Sequence, residues 1–173
     1  MTNLYAATKD LHHACEEHSL GQRMVHAAVT AQEWADWLQA FRWMHFHADQ
    51  AVPFTMERDW LFDADLRELG RRYGVVGRQS KAVARWLFGV EWRDKEAAAY
   101  VLHGAHKRGG RLLAPILAAC KLPSAHTYYP LPREAEEVVR GFRERDDLIE
   151  PARQVFATLL EVMDEITSRG ERE

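Results

Sequence analysis

Hydrophobic positions along this chain recur every three or four residues, and strict alternation is scarce, so the pattern predicts helices from end to end. The first is expected over about residues 3–18, with Leu4, Thr8, Leu11 and Cys15 along its inner side. Thr30 and Glu33 have capping-box spacing and open a second helix that ends before Pro53, with Trp34, Leu38, Phe41 and His45 on its apolar side. Asp63 to about Tyr73 forms the next helix, and Ser80 is placed to cap another over Lys81–Phe88. Asp94 could cap a long helix reaching toward Cys120, interrupted by Gly104, Gly109, Gly110 and Pro115. Pro123, Pro130 and Pro132 mark a loop, and helices at about 133–145 and 149–168 close the chain. Phe156, Leu159, Leu160 and Met163 read as core positions of the last helix. No internal repeat and no dividing linker is visible, so the expectation is one all-α domain over residues 1–173.

Composition narrows the class. Of the 173 residues, 47% are hydrophobic, which suits a globular chain with a sizeable core. No apolar run reaches the roughly 18–20 residues needed to span a bilayer. Asp10, Glu16 and Glu17 make the N-terminus unlike a signal peptide, and the expected location is the cytoplasm. The net charge is −3 with Lys and Arg dispersed, so neither nucleic acid nor membrane is an expected partner. Lys107, Arg108 and Arg111 read as a solvated helix face. Cys15 and Cys120 lack metal or redox spacing and read as reduced, small buried hydrophobes. The unusual feature is nine histidines, several of them in helical segments.

One of these stands at a boundary. At about 100° per residue, the Leu4, Thr8, Leu11 and Cys15 stripe centres near about 10° from Leu4. His12 falls at about 80°, Tyr5 near about 100°, Glu16 near about 120° and Lys9 near about 140°, forming a second stripe beside the first. His13 points away at about 180°. Imidazole is a common ligand of haem iron, and its second nitrogen needs an acceptor, which Glu16 could supply one turn later. The alternative is a half-buried histidine between helices with ordinary surface neighbours. A second segment, Tyr100-Val101-Leu102-His103-Gly104-Ala105-His106-Lys107-Arg108-Gly109-Gly110-Arg111, puts adjacent glycines inside a long helix. Each costs about 1 kcal/mol relative to Ala there. A kink, a flat ligand against the backbone or a tight helix crossing would account for the pair.

Ala7-Thr8-Lys9-Asp10-Leu11-His12, followed by Glu16, resembles the opening segment of haem oxygenases, and the glycine segment is similar to their distal helix. The resemblance implies a helical bundle with a glycine-kinked distal helix. It makes His12 the iron ligand, Glu16 its supporting acid and Lys9 a neighbour of a haem propionate. Tyr5 stands where some members carry a further basic residue, and Tyr100 joins the expected haem-binding set. Arg143, which follows Phe142, matches a propionate-binding arginine better than Arg140 does; a solvated charged face over 140–147 is the alternative.

The family's first distal glycine lies four residues before its glycine pair, and here that position is Ala105. Gly104 would match only with an inserted residue. Ala105, Gly109, Leu112, Leu113 and Ile116 share one side, which favours the ungapped register. His106 then occupies the site of an aspartate that organises distal water in many members. It is expected to relay protons, to bind iron as an opposed ligand, or only to line the pocket wall.

The implied activity is oxidative cleavage of haem, both cofactor and substrate, to biliverdin, carbon monoxide and ferrous iron. It would use dioxygen and electrons from an external reductase or ferredoxin, with Ala105, His106, Gly109 and Gly110 as the catalytic set. Similarity to phytochrome-associated bacterial members implies a bacterial phytochrome as product acceptor. The rival class is a haem carrier or sensor using His12 and His106, and the third is a helical fold without haem.

Overall fold

Helices begin where side chains can satisfy the first free N–H groups. The Asn3 side chain accepts from the Tyr5 N–H at 2.9 Å and opens α1 (Leu4–Glu17). In the capping box that opens α3 (Ala31–Ala48), the Thr30 N–H donates to Glu33 Oε2 at 2.8 Å, and the Glu33 N–H donates to Thr30 Oγ1 at 3.2 Å. Ser80 caps α5 (Lys81–Phe88) by accepting from the Val83 N–H at 3.2 Å. The remaining helices are α2 (Ser19–Val25), α4 (Asp59–Tyr73), α6 (Trp92–Ala119), α7 (Arg133–Gly141) and α8 (Ile149–Gly170). Short 3-10 turns occupy Asp49–Ala51, Phe142–Glu144 and Asp146–Leu148. This computed structural model describes residues 3–53, 59–124 and 130–171, apart from the side chains of Asp59, His106 and Arg108. Among the described residues the regular elements are all helical, as the periodicity predicts.

Five features differ from the sequence expectation. His18 leaves helical geometry after α1, and its Nδ1 accepts from the Leu20 N–H at 3.1 Å, which opens the unforeseen α2. The fourth helix begins at Asp59, four residues early. Asp94 is not the cap of α6 but lies inside its first turn, where its carboxylate accepts from the Glu91 N–H at 2.7 Å. The expected interruptions of α6 do not occur: it runs as one helix through Gly104, Gly109, Gly110 and Pro115. Near the end, helix geometry tightens into a 3-10 turn after Gly141, where one helix to about residue 145 was expected.

The helix α8 is the centre of the assembly. It packs against α1, α2, α3, α5 and α6, while α4 lies on α3 and α7 lies on α6. One buried cluster draws on all eight helices, with Trp34, Leu38 and Met44 from α3, Leu102 and Leu117 from α6, and Val155, Leu159 and Val162 from α8. Leu11 and both cysteines are half-buried at its edge, so Cys15 and Cys120 are less enclosed than expected. Burial, with help from the Glu16 charge, pushes the Cys15 thiol up to about 12. Among the described residues no helix is long and apolar enough to cross a membrane.

Buried Asp36 fastens the chain preceding α5 to α3, accepting from the Arg78 N–H at 2.8 Å and from Arg78 Nε at 2.9 Å. The chain there passes so close that a Cβ on Gly77 would lie 2.6 Å from the Ala35 carbonyl oxygen and 2.8 Å from Gln39 Cβ. Neither neighbour is a flexible tip. Gly77→Ala is therefore expected to destabilise the fold by about 1–3 kcal/mol through overpacking. Urea unfolding checks this, and an unchanged midpoint would refute the close approach.

Candidate functional site

Arg153 of α8 sets the orientation of α1. Its Nη1 donates to the Ala7 carbonyl at 2.7 Å and to Asp10 Oδ1 at 2.9 Å, and its Nη2 donates to Asp10 Oδ2 at 3.0 Å. The paired bonds hold the Asp10 carboxyl below its usual range. They fix Leu4 and Thr8 in the core and leave the second stripe of α1 at the rim.

On that rim the His12 side chain is 45% exposed. Its ring stands edge-on to Phe156 of α8 with centroids 6.0 Å apart. Nδ1 faces Glu16 Oε1 at 3.6 Å, an electrostatic contact slightly long for a hydrogen bond. Among the described residues no polar partner is recorded for its Nε2. Tyr5, Lys9 and Glu16 are exposed, as the helical angles predict. His13 points outward and pairs with Glu17, Nε2 to Oε1 at 3.0 Å, while its Nδ1 lies 3.6 Å from Glu16 Oε2, so Glu16 stands between the two histidines.

The second predicted group lies on α6. Tyr100, Ala105 and Gly109 are half-buried and Gly110 is buried. Among the described residues, a Cβ added at Gly109 would meet nothing within 4 Å, so packing against them does not require glycine there. The side chain of His106 lies outside the described residues. Lys107 pairs with Glu136 of α7, and Arg111 is exposed. The Phe142–Glu144 turn touches both α1 and α6, and from it exposed Arg143 donates from Nε to Asn3 Oδ1 at 3.4 Å. The structure thus gathers Arg143 to the N-terminus of α1, while α1 and α6 both lie on α8.

A third group was not foreseen. His45 of α3, Asp49 of the following turn and His103 of α6 meet in the core, each under 6% exposed as a residue. Asp49 Oδ1 lies 3.4 Å from His45 Nδ1 and 3.0 Å from His103 Nε2. The two rings are 5.1 Å apart and inclined at 65°. Burial pushes the Asp49 carboxyl up, but the two imidazole nitrogens facing it outweigh burial and hold it well below the carboxylate range. His45 and Asp49 share a helical face at i, i+4, a signal present in the sequence; His103, 54 residues beyond Asp49, is brought in only by folding.

Comparison of the chain with protein-family models and with curated proteins gives no match. An open cleft of about 290 Å³ lies elsewhere, lined by Arg85, Trp86, Asp94, Gln154, Thr158 and Glu161. Its α8 residues are about 140–200° around the helix from Phe156, so it faces away from His12. An Arg85–Glu161 ion pair occupies its wall.

The Arg153 clamp yields a prediction for α1. Asp10→Asn is expected to speed amide exchange in residues 4–17 while leaving α3 and α8 protected. Because the native Asp10 pKa is depressed, its support is complete above the unfolded value near about 4 and fades as pH falls through the lower folded value. The backbone resonances of residues 6–11 in the wild type should therefore begin to shift below about pH 4, and those of Asp10→Asn should shift less. Identical titrations would remove Asp10 from this role.

Proposed function

We propose that this chain binds haem and cleaves it oxidatively to biliverdin, carbon monoxide and ferrous iron, as haem oxygenases do. The observation that carries the reading is the state of His12. It is half-exposed beside the core, with Nδ1 turned to a carboxylate and, among the described residues, no polar partner at Nε2. That is the arrangement a histidine ligand needs. Glu16 facing Nδ1 would favour the tautomer that leaves Nε2 to hold the iron. Phe156 restrains the ring from the α8 side.

Bound haem supplies both the iron at which dioxygen is reduced and the macrocycle that is opened, with electrons coming from a separate reductase or ferredoxin. The protein's part is to bind, orient and exclude. Lys9 and Arg143 are exposed cations at the α1 rim and serve the propionates; a guanidinium can grip a carboxylate through two parallel hydrogen bonds. Tyr5 lies beside them on the same stripe. On α6, Ala105 and Gly109 are 40° apart around the helix, and the open space at Gly109 lets a flat ring approach the backbone. Half-buried Tyr100 and buried Gly110 lie on other sides of the same helix. His106, within the same glycine-bearing segment, moves protons to the distal side of the iron.

Hemin added to the full chain should bind one-to-one, and reductant under air with catalase present should convert the complex to biliverdin. His12→Ala should reduce that turnover at least about 100-fold, the scale on which loss of a positioned catalytic group is felt. A stable hemin complex in the presence of a competent electron donor would instead favour a carrier. Gly109→Ala has a distinctive expected signature: stability of the hemin-free protein rises by about 1 kcal/mol, while turnover falls. Loss of stability would show that Gly109 serves packing.

A further inference from the structure

The His45–Asp49–His103 cluster is not used by the haem reading, and its donor set points to a different ligand. The three residues come from α3, the turn that follows it and α6, and they converge within the core with their ligand-type atoms all within 4.8 Å of one another. We propose that His45, Asp49 and His103 form a buried binding site for a divalent transition-metal ion of the zinc or cobalt kind.

Geometry and chemistry both support this class. Tetrahedral bonds of about 2.0–2.1 Å separate ligand atoms by about 3.3–3.4 Å. Asp49 Oδ1 already lies 3.4 Å from His45 Nδ1 and 3.0 Å from His103 Nε2, so little rearrangement would admit an ion between them. Two imidazoles and one carboxylate make a mixed nitrogen and oxygen set. Calcium and magnesium prefer oxygen alone, and copper(I) prefers sulfur. With both imidazoles neutral, the set carries one negative charge, which a divalent ion converts to one positive charge in a site walled by Phe41 and Phe62. Three protein ligands leave a fourth position for water.

The ion would join α3 to α6 through side chains already packed in place, so binding should stabilise the fold. The proposal does not depend on haem. His12 lies on α1, on the rim of α8, and belongs to neither the cluster nor its helices.

Cobalt(II) added to the full chain without hemin tests the site. The expected result is a visible d–d absorption that saturates at one equivalent, with zinc displacing it. Asp49→Asn and His103→Gln should each weaken cobalt binding at least about 100-fold, beyond the range seen when only outer-shell partners are lost. His13→Ala, which alters a surface histidine–glutamate pair, should leave the band unchanged. Circular dichroism checks that each variant is folded. If the variants do not fold, imidazole proton resonances of the wild type decide: those of His45 and His103 should acquire paramagnetic shifts. No stoichiometric band after prolonged incubation, a band that survives in folded Asp49→Asn, or paramagnetic shifts confined to surface histidines would overturn the proposal.

Discussion

The grip of Arg153 on α1 decides which way the N-terminal helix faces, and the functional surface follows from that choice. Arg153 bonds to a backbone carbonyl and, in two parallel bonds, to Asp10, so it fixes both the height and the rotation of α1 on α8. An exposed ion pair by itself is worth little. Here it acts together with buried Leu4 and Thr8, whose packing supplies the apolar side of the same contact. With the core stripe committed, geometry carries His12 to the rim, where the ring is neither enclosed nor free to swing, because Phe156 stands against one side and Glu16 faces its nitrogen.

Helix α6 divides its duties around its circumference. His103 and Gly110 are seven residues apart, about 20° out of alignment, and both are buried toward the core. Ala105 and Gly109 lie about 200–240° from His103, on a side where a Cβ at Gly109 would find open space. One face therefore anchors the helix through packed and polar contacts, and another leaves backbone accessible. This separation lets a single long helix serve a buried histidine cluster and an open surface without placing both in one pocket.

Much of the fold was legible in sequence because it rests on local rules. The Thr30–Glu33 box, the Ser80 cap and the apolar stripes of α1, α3 and α8 each depend on residues within a few positions of one another. The misread features have local or long-range causes of a different kind. His18 ends one helix and caps the next, a double use that periodicity does not show. The glycines of α6 did not break it, because a long helix held by packing on α8 and α3 tolerates their propensity cost. For the site, the α1 stripe was readable from helical angles. The histidine cluster was half readable: His45 and Asp49 share a face, but the approach of His103 depends on how α6 crosses α3.

The most direct measurement is resonance Raman spectroscopy of the ferrous hemin complex. An iron–imidazole stretching band that is absent in His12→Gly and returns when free imidazole is added is the predicted result. A band of the same frequency and strength in His12→Gly, without imidazole, would contradict the assignment of His12 as the iron ligand.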